Sequence, residues 1–135
     1  MDLRAAPLEG RPLEKALEAL IHDRQTDVLK IAFEVSGSRP LPVRVEVGLY
    51  RIAQEALTNV ARHARARQAT VRWLTTPVYT QLIVEDDGAG FDMAQILADR
   101  HGLIGMHERA RLLVGTLSLR SRLTRGTQLQ VTIPL

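Results

Sequence analysis

The chain has 135 residues, 45% of them hydrophobic, enough for one domain with its own core and no reason to divide it. It contains no cysteine, which excludes a disulfide framework and a cysteine-based zinc site; no apolar run reaches the roughly 20 residues of a membrane span. Net charge is +3, but the arginines are scattered and aromatic residues make up only 4%, so the stacking platforms of single-strand binders are missing and direct nucleic-acid contact is not expected.

Residues 1–12 mix Pro, Gly and charge and read as an N-terminal linker or tail, with the domain proper at residues 13–135. Leu13, Ala16, Leu17, Leu20 and Ile21 recur at helical spacing. In "DVLKIAFEVSG", Leu29, Ile31, Phe33 and Val35 alternate with Val28, Lys30, Ala32 and Glu34, a strand closed by Gly37 and the prolines beyond it. A second helix is predicted from about Val43 to Ala66, with Val45, Leu49, Ile52, Ala56, Val60 and Ala64 as its apolar stripe. "ATVRWLTT" and "TQLIVED" form a hairpin turning at Pro77. A third helix begins near Gly102 or Leu103, with Ile104, Met106, Ala110 and Leu113 on its apolar side. "TLSLRS" and "TQLQVTIPL" are the last two strands, joined by "RLTRG". Three helices packed on one face of a mixed sheet of about five strands, an α+β two-layer α/β sandwich, is the expected architecture.

Three stretches carry candidate chemistry. In "YRIAQEALTNVARHA", Glu55 and Asn59 are four residues apart, Arg62 follows three later, and all three share one side of the helix. Asn59 is the chain's one asparagine, a mediocre helix former in mid-helix. Carboxylate, amide and guanidinium together suit a phosphate chain and a hydrated cation such as Mg²⁺, which takes oxygen ligands and keeps several waters; an ordinary solvated Glu/Arg pair fits the same letters. In "VEDDGAGFD" an apolar strand runs into Asp86, with Gly88 and Gly90 after it. A carboxylate there accepts from an exocyclic amino group, which adenine has and guanine replaces with an oxo acceptor; a strand followed by an Asp-Gly turn is the plainer alternative. In "HGLIGMHERARLL", Gly102 and Gly105 head a helix whose free N–H groups suit an anion, or simply form a hinge. Thr127 opens the last strand, placed to support Asp86 through water or to serve as an ordinary strand residue.

In this order these stretches resemble the catalytic ATP-binding domain of two-component sensor histidine kinases, the Bergerat fold shared with gyrase, the heat-shock chaperone ATPase and mismatch-repair ATPases. "LYRIAQEALTNVARHARA" looks like the N box of the subfamily paired with helix-turn-helix response regulators; "DDGAGF" and "HGLIGMHERA" match the two glycine boxes, and "RGTQLQVTIPL" the closing strand. The resemblance implies ATP and Mg²⁺ as ligands, with Asn59 on the metal and Glu55 where relatives hold a catalytic acidic group. It implies Asp86 on the adenine amino group with Thr127 assisting through water, Gly88 and Gly90 shaping the base pocket, and Gly102 and Gly105 at the phosphates. Arg62 and His63 stand where relatives contact nucleotide or phosphate. The lid, "DMAQILADRH", is short, and Arg100 stands where subfamily members often have a further glycine.

The implied activity is a protein histidine kinase that transfers the γ-phosphoryl of ATP to a histidine on a separate dimerisation domain, and through the intact kinase to a response regulator. An anti-sigma-type serine kinase and an ATP-gated interaction module are the alternatives. "LIHDRQTD" is not the acceptor box, because Gln25 comes too early and the segment directly precedes the strand leading to the N box; His22 is expected to be partly exposed at a helix end. His63, His101 and His107 lack zinc-ligand spacing. A cytoplasmic location without membrane contact by this segment is expected.

Overall fold

A computed structural model describes residues 8, 10–63, 65–89, 101–122 and 125–135, with the backbone alone at 63, 101–103 and 122. Its elements follow the order read from the sequence: α1 (Leu13–Arg24), β1 (Lys30–Ser36), α2 (Val43–His63), β2 (Gln68–Thr75), β3 (Tyr79–Asp86), α3 (His101–Leu112), β4 (Thr116–Arg122) and β5 (Gly126–Pro134). The five strands form one sheet in the order β1-β2-β3-β5-β4; β1 and β2 are parallel and every other pair is antiparallel.

Period-two alternation decides which side of the sheet is dry. Leu82 and Val84 of β3, Leu129, Val131 and Ile133 of β5, and Ala69 and Val71 of β2 are buried against the helices. They meet Leu13, Ala16, Leu17, Leu20 and Ile21 of α1, and Val45, Leu49, Ile52, Ala53, Ala56, Leu57 and Val60 of α2. Leu8, upstream of α1, is also fully buried in this core. The opposite side is polar: Arg72 bridges Glu34 (2.7 Å) and Glu85 (3.4 Å), and Gln81 donates to Thr132 Oγ1 at 3.0 Å. A largely antiparallel sheet with one solvated side is the expected outcome of such alternation. Within the core layer, Trp73 Nε1 donates to Thr80 Oγ1 at 2.8 Å, satisfying a hydroxyl that is entirely buried.

Two details depart from expectation. The second helix stops at His63 rather than near Ala66, because the chain reverses at Arg65, whose φ is 52°. Met106 and Ala110 of α3 and Leu113 just beyond it are buried, spaced four and three apart, whereas Ile104 is 49% exposed and lies off that stripe.

The end of α3 is a Schellman turn. Gly115 N–H donates to Ala110 O at 2.8 Å and Val114 N–H to Arg111 O at 2.9 Å. The left-handed position, which glycine normally fills, holds Val114 at φ 59° with its side chain 77% exposed. A β-branched residue there is strained and buries little. Val114→Gly should therefore raise stability by about 1 kcal/mol, measured as a higher urea midpoint at unchanged m-value. Among the described residues no helix is long and apolar enough to cross a membrane.

Candidate functional site

Chain direction brings the candidate residues to one end of the molecule. α2 ends at His63, and residues 64–67 carry the chain to β2, whose Ala69 lies directly opposite Asp86, the last residue of β3. β5 starts at this same end, with Thr127 opposite Asp86 on its other side. α3 leads through Gly115 to Thr116, which pairs with Thr132 at the far end of the sheet. The α3 helix, which carries Gly102 and Gly105 in its first two turns, thus has its C-terminus at the end of the sheet opposite Asp86. Gly105 is exposed, and a Cβ there would meet nothing within 4 Å.

Asp86 is the one buried charged residue among those described, at 8% exposure. Its Oδ1 accepts the Gly88 N–H at 2.8 Å. Burial pushes its carboxyl above the usual aspartate range; the Gly88 N–H opposes that rise, the Asp87 charge adds to it, and the Thr127 N–H opposes it. Asp87 behaves oppositely. It is exposed, and its Oδ1 accepts N–H groups from Arg67 (2.9 Å) and Gln68 (3.0 Å). Those backbone donors, Gln68 first, hold its carboxyl below the ordinary value. The adjacent aspartates thus divide the work: Asp87 clasps the entry of β2 to the exit of β3, and Asp86 turns into the interior with acceptor capacity left over.

Around Asp86 the sheet is cut away. Ala69 beside it is small, and on β5 Gly126 combines φ +85° with a position where a Cβ would lie 2.1 Å from the Asp86 carbonyl oxygen, so only glycine fits. An open cleft of about 310 Å³ lies at this end of the sheet, lined by Asp86, Ser121, Gly126 and Thr127 together with Arg125 and the solvated-side residues Glu85, Arg120 and Gln128. Ser121 faces Thr127 in register, their hydroxyl oxygens 2.8 Å apart. Ala69, Asp87 and Ser121 were not among the sequence candidates. Counting back across "RLTRG" places Ser121 opposite Thr127, and that register was the signal for it.

On α2, Glu55 and Asn59 are half-buried and Arg62 is exposed. Among the described residues Glu55 and Arg62 form no ion pair and the Asn59 amide makes no hydrogen bond, so the ordinary Glu/Arg pairing is not formed here. His63 closes α2, but its side chain lies outside the described residues, as do Gly90 and lid residues 92–100. His22 is exposed near the end of α1, as expected, and His107 is exposed on α3. Among the described residues no group of three or more His, Cys, Asp or Glu gathers around a common point.

A model of the histidine kinase-, DNA gyrase B- and HSP90-like ATPase family matches residues 44–135, which include α2, both glycine boxes and β5. The chain belongs to this family. That makes it an ATP-binding domain, and its relatives place it with the histidine kinases. The sensor histidine kinase LiaS of Bacillus subtilis is 35% identical over 136 residues, covering 100% of this chain and 38% of LiaS. The histidine-protein kinase/phosphatase DegS of the same organism is 34% identical over 79% of the chain and 29% of DegS. The sensor protein VraS of Staphylococcus aureus is 32% identical over 100% of the chain and 39% of VraS. This ATPase-family domain thus spans less than half the length of each. In fold it superposes on the histidine kinase domain of the blue-light-activated Erythrobacter litoralis kinase with a TM-score of 0.73. That match has 22% identity and covers 91% of this chain and 59% of the other.

Proposed function

We propose that residues 13–135, with 1–12 leading into them, bind Mg·ATP where α2, β3, α3 and β5 converge. The domain then passes the γ-phosphoryl to a histidine on a separate dimerisation domain of a two-component kinase, for onward transfer to a response regulator. In this reading Asp86 accepts from the adenine 6-amino group, Thr127 assists through water, and Gly88 and Gly90 allow the base to approach. Gly102 and Gly105 offer backbone N–H groups to phosphate, and Arg62 and His63 flank it. The observation that carries the reading is Asp86. A buried carboxylate with one oxygen pinned by the Gly88 N–H and lone pairs to spare suits a neutral donor such as an exocyclic amine.

The donor set also fits magnesium. The unspent Asn59 amide supplies one oxygen, and without an acidic cluster among the described residues the remaining ligands come from phosphate and water, as Mg²⁺ prefers. Bound there, the ion supplies charge neutralisation at the phosphate oxygens. The protein's own part is positioning: an acceptor imidazole nitrogen attacks the γ-phosphorus, the bond to the bridging oxygen breaks, and ADP leaves. Glu55, half-buried one turn before Asn59, orients water near the phosphates.

The test is phosphotransfer in two parts. Given Mg·ATP and a separately supplied acceptor domain of a kinase of this type, this domain should label the acceptor and not itself; phosphate on His22 would overturn the assignment of the acceptor. Asn59→Ala should bind Mg·ATP roughly tenfold more weakly by calorimetry, yet bind metal-free ATP as the wild type does. Unchanged Mg·ATP affinity would remove Asn59 from the site.

A further inference from the structure

We propose that Ser121 sets the purine preference of the site by fixing the direction in which the Thr127 hydroxyl points, an inference that rests on the nucleotide reading above. Ser121, Thr127 and Asp86 are consecutive members of one cross-strand row on the helix-facing side of the sheet. Ser121 Oγ donates to the Gly126 carbonyl oxygen at 3.2 Å and lies 2.8 Å from Thr127 Oγ1. A serine hydroxyl has a single proton. Either hydroxyl could donate in the short contact between them; in the assignment we propose, the Ser121 proton goes to Gly126 and the proton of Thr127 holds that contact.

Thr127 therefore gives its hydrogen away from Asp86 and turns only lone pairs toward the cleft. Asp86 Oδ1 is committed to the Gly88 N–H, and the remaining carboxylate lone pairs are acceptors too. The row offers acceptors side by side. An exocyclic amino group satisfies them, directly or through a water that donates. An oxo group in the same place finds acceptors facing an acceptor, the arrangement that discriminates most strongly between polar isosteres. Ser121 does not touch the base; it is a positioning residue that keeps Thr127 from rotating to donate.

The test compares ATP with inosine triphosphate, whose base carries a 6-oxo group in place of the 6-amino group. Each is titrated by calorimetry into the wild type, Ser121→Ala and Ser121→Thr. In Ser121→Ala the Thr127 hydroxyl is free to turn and donate to the oxo group. The ratio of the two Kd values should then fall at least about fivefold, mainly through tighter binding of inosine triphosphate. Ser121→Thr retains a hydroxyl and should keep the wild-type ratio. On a Thr127→Val background, Ser121→Ala should leave the ratio unmoved, because the rotor it releases is gone. A wild-type ratio in Ser121→Ala, or an equal loss for both nucleotides, would mean that Ser121 serves only packing and would overturn this inference alone. A wild-type protein that binds neither nucleotide would overturn the nucleotide reading and this inference with it.

Discussion

Asp86→Asn should weaken ATP binding by roughly 10- to 100-fold, the range expected for a lost charge-assisted hydrogen bond, while leaving the fold at least as stable near neutral pH. The Gly88 N–H requires an acceptor, so the asparagine places its carbonyl oxygen where Asp86 Oδ1 now sits, 2.8 Å from that nitrogen. Its NH₂ then occupies the other oxygen's place and meets the adenine amino group donor to donor. Stability moves the other way. Burial raises the Asp86 pKa on folding, so between the unfolded and folded values the native state holds a proton that the unfolded chain has released. Stability therefore falls as pH rises through the folded value, and above it the ionised carboxylate is a liability that asparagine removes. Urea midpoints from about pH 4 to about pH 8 should fall less steeply in the variant than in the wild type. ATP affinity of the wild type should decline on acidification at a pH above that of an ordinary aspartate, because a protonated Asp86 no longer offers a free acceptor pair.

Gly126→Ala should damage stability and binding together. At φ +85° any side chain is strained, and the new Cβ would lie 2.1 Å from the Asp86 carbonyl oxygen and 3.2 Å from the Asp87 Cα, both rigid backbone. Neither atom can yield without parting β3 from β5 where Asp86 faces Thr127. A loss of at least about 2 kcal/mol is expected, seen as a lower urea midpoint, with weaker ATP binding in the molecules that remain folded. The two variants thus separate what the residues do. Asp86 is kept at some expense in stability, whereas Gly126 makes room for it.

Most of the architecture was legible because the local signals agree with one another. The strand signal in "TQLIVED" placed β3, whose structure buries Thr80, Leu82, Val84 and Asp86 at alternate positions, and the i, i+4 placement of Glu55 and Asn59 put both on one side of α2. The misses arose where distant residues overrule local preference. Alanines at 64 and 66 favour a helix that continues, but the Asp87 carboxylate, twenty residues further on, captures the N–H groups of Arg67 and Gln68 and with them the entry to β2. Ile104 fits a helical repeat, yet the seam that packs is Met106, Ala110 and Leu113, and Leu113 is fixed by the missing Cβ of Gly48, which would stand 2.5 Å from its Cδ1. Ser121 went unnoticed because its importance depends on hairpin register, which becomes visible only once the turn length is counted.

The Glu34–Arg72–Glu85 ladder runs across three strands on the side of the sheet away from the helices. A sheet that dries on one surface and stays hydrated on the other needs no second layer to complete it. Its rear wall asks nothing of a neighbour. Charged side chains paired along that surface hold their hydration whatever stands behind them.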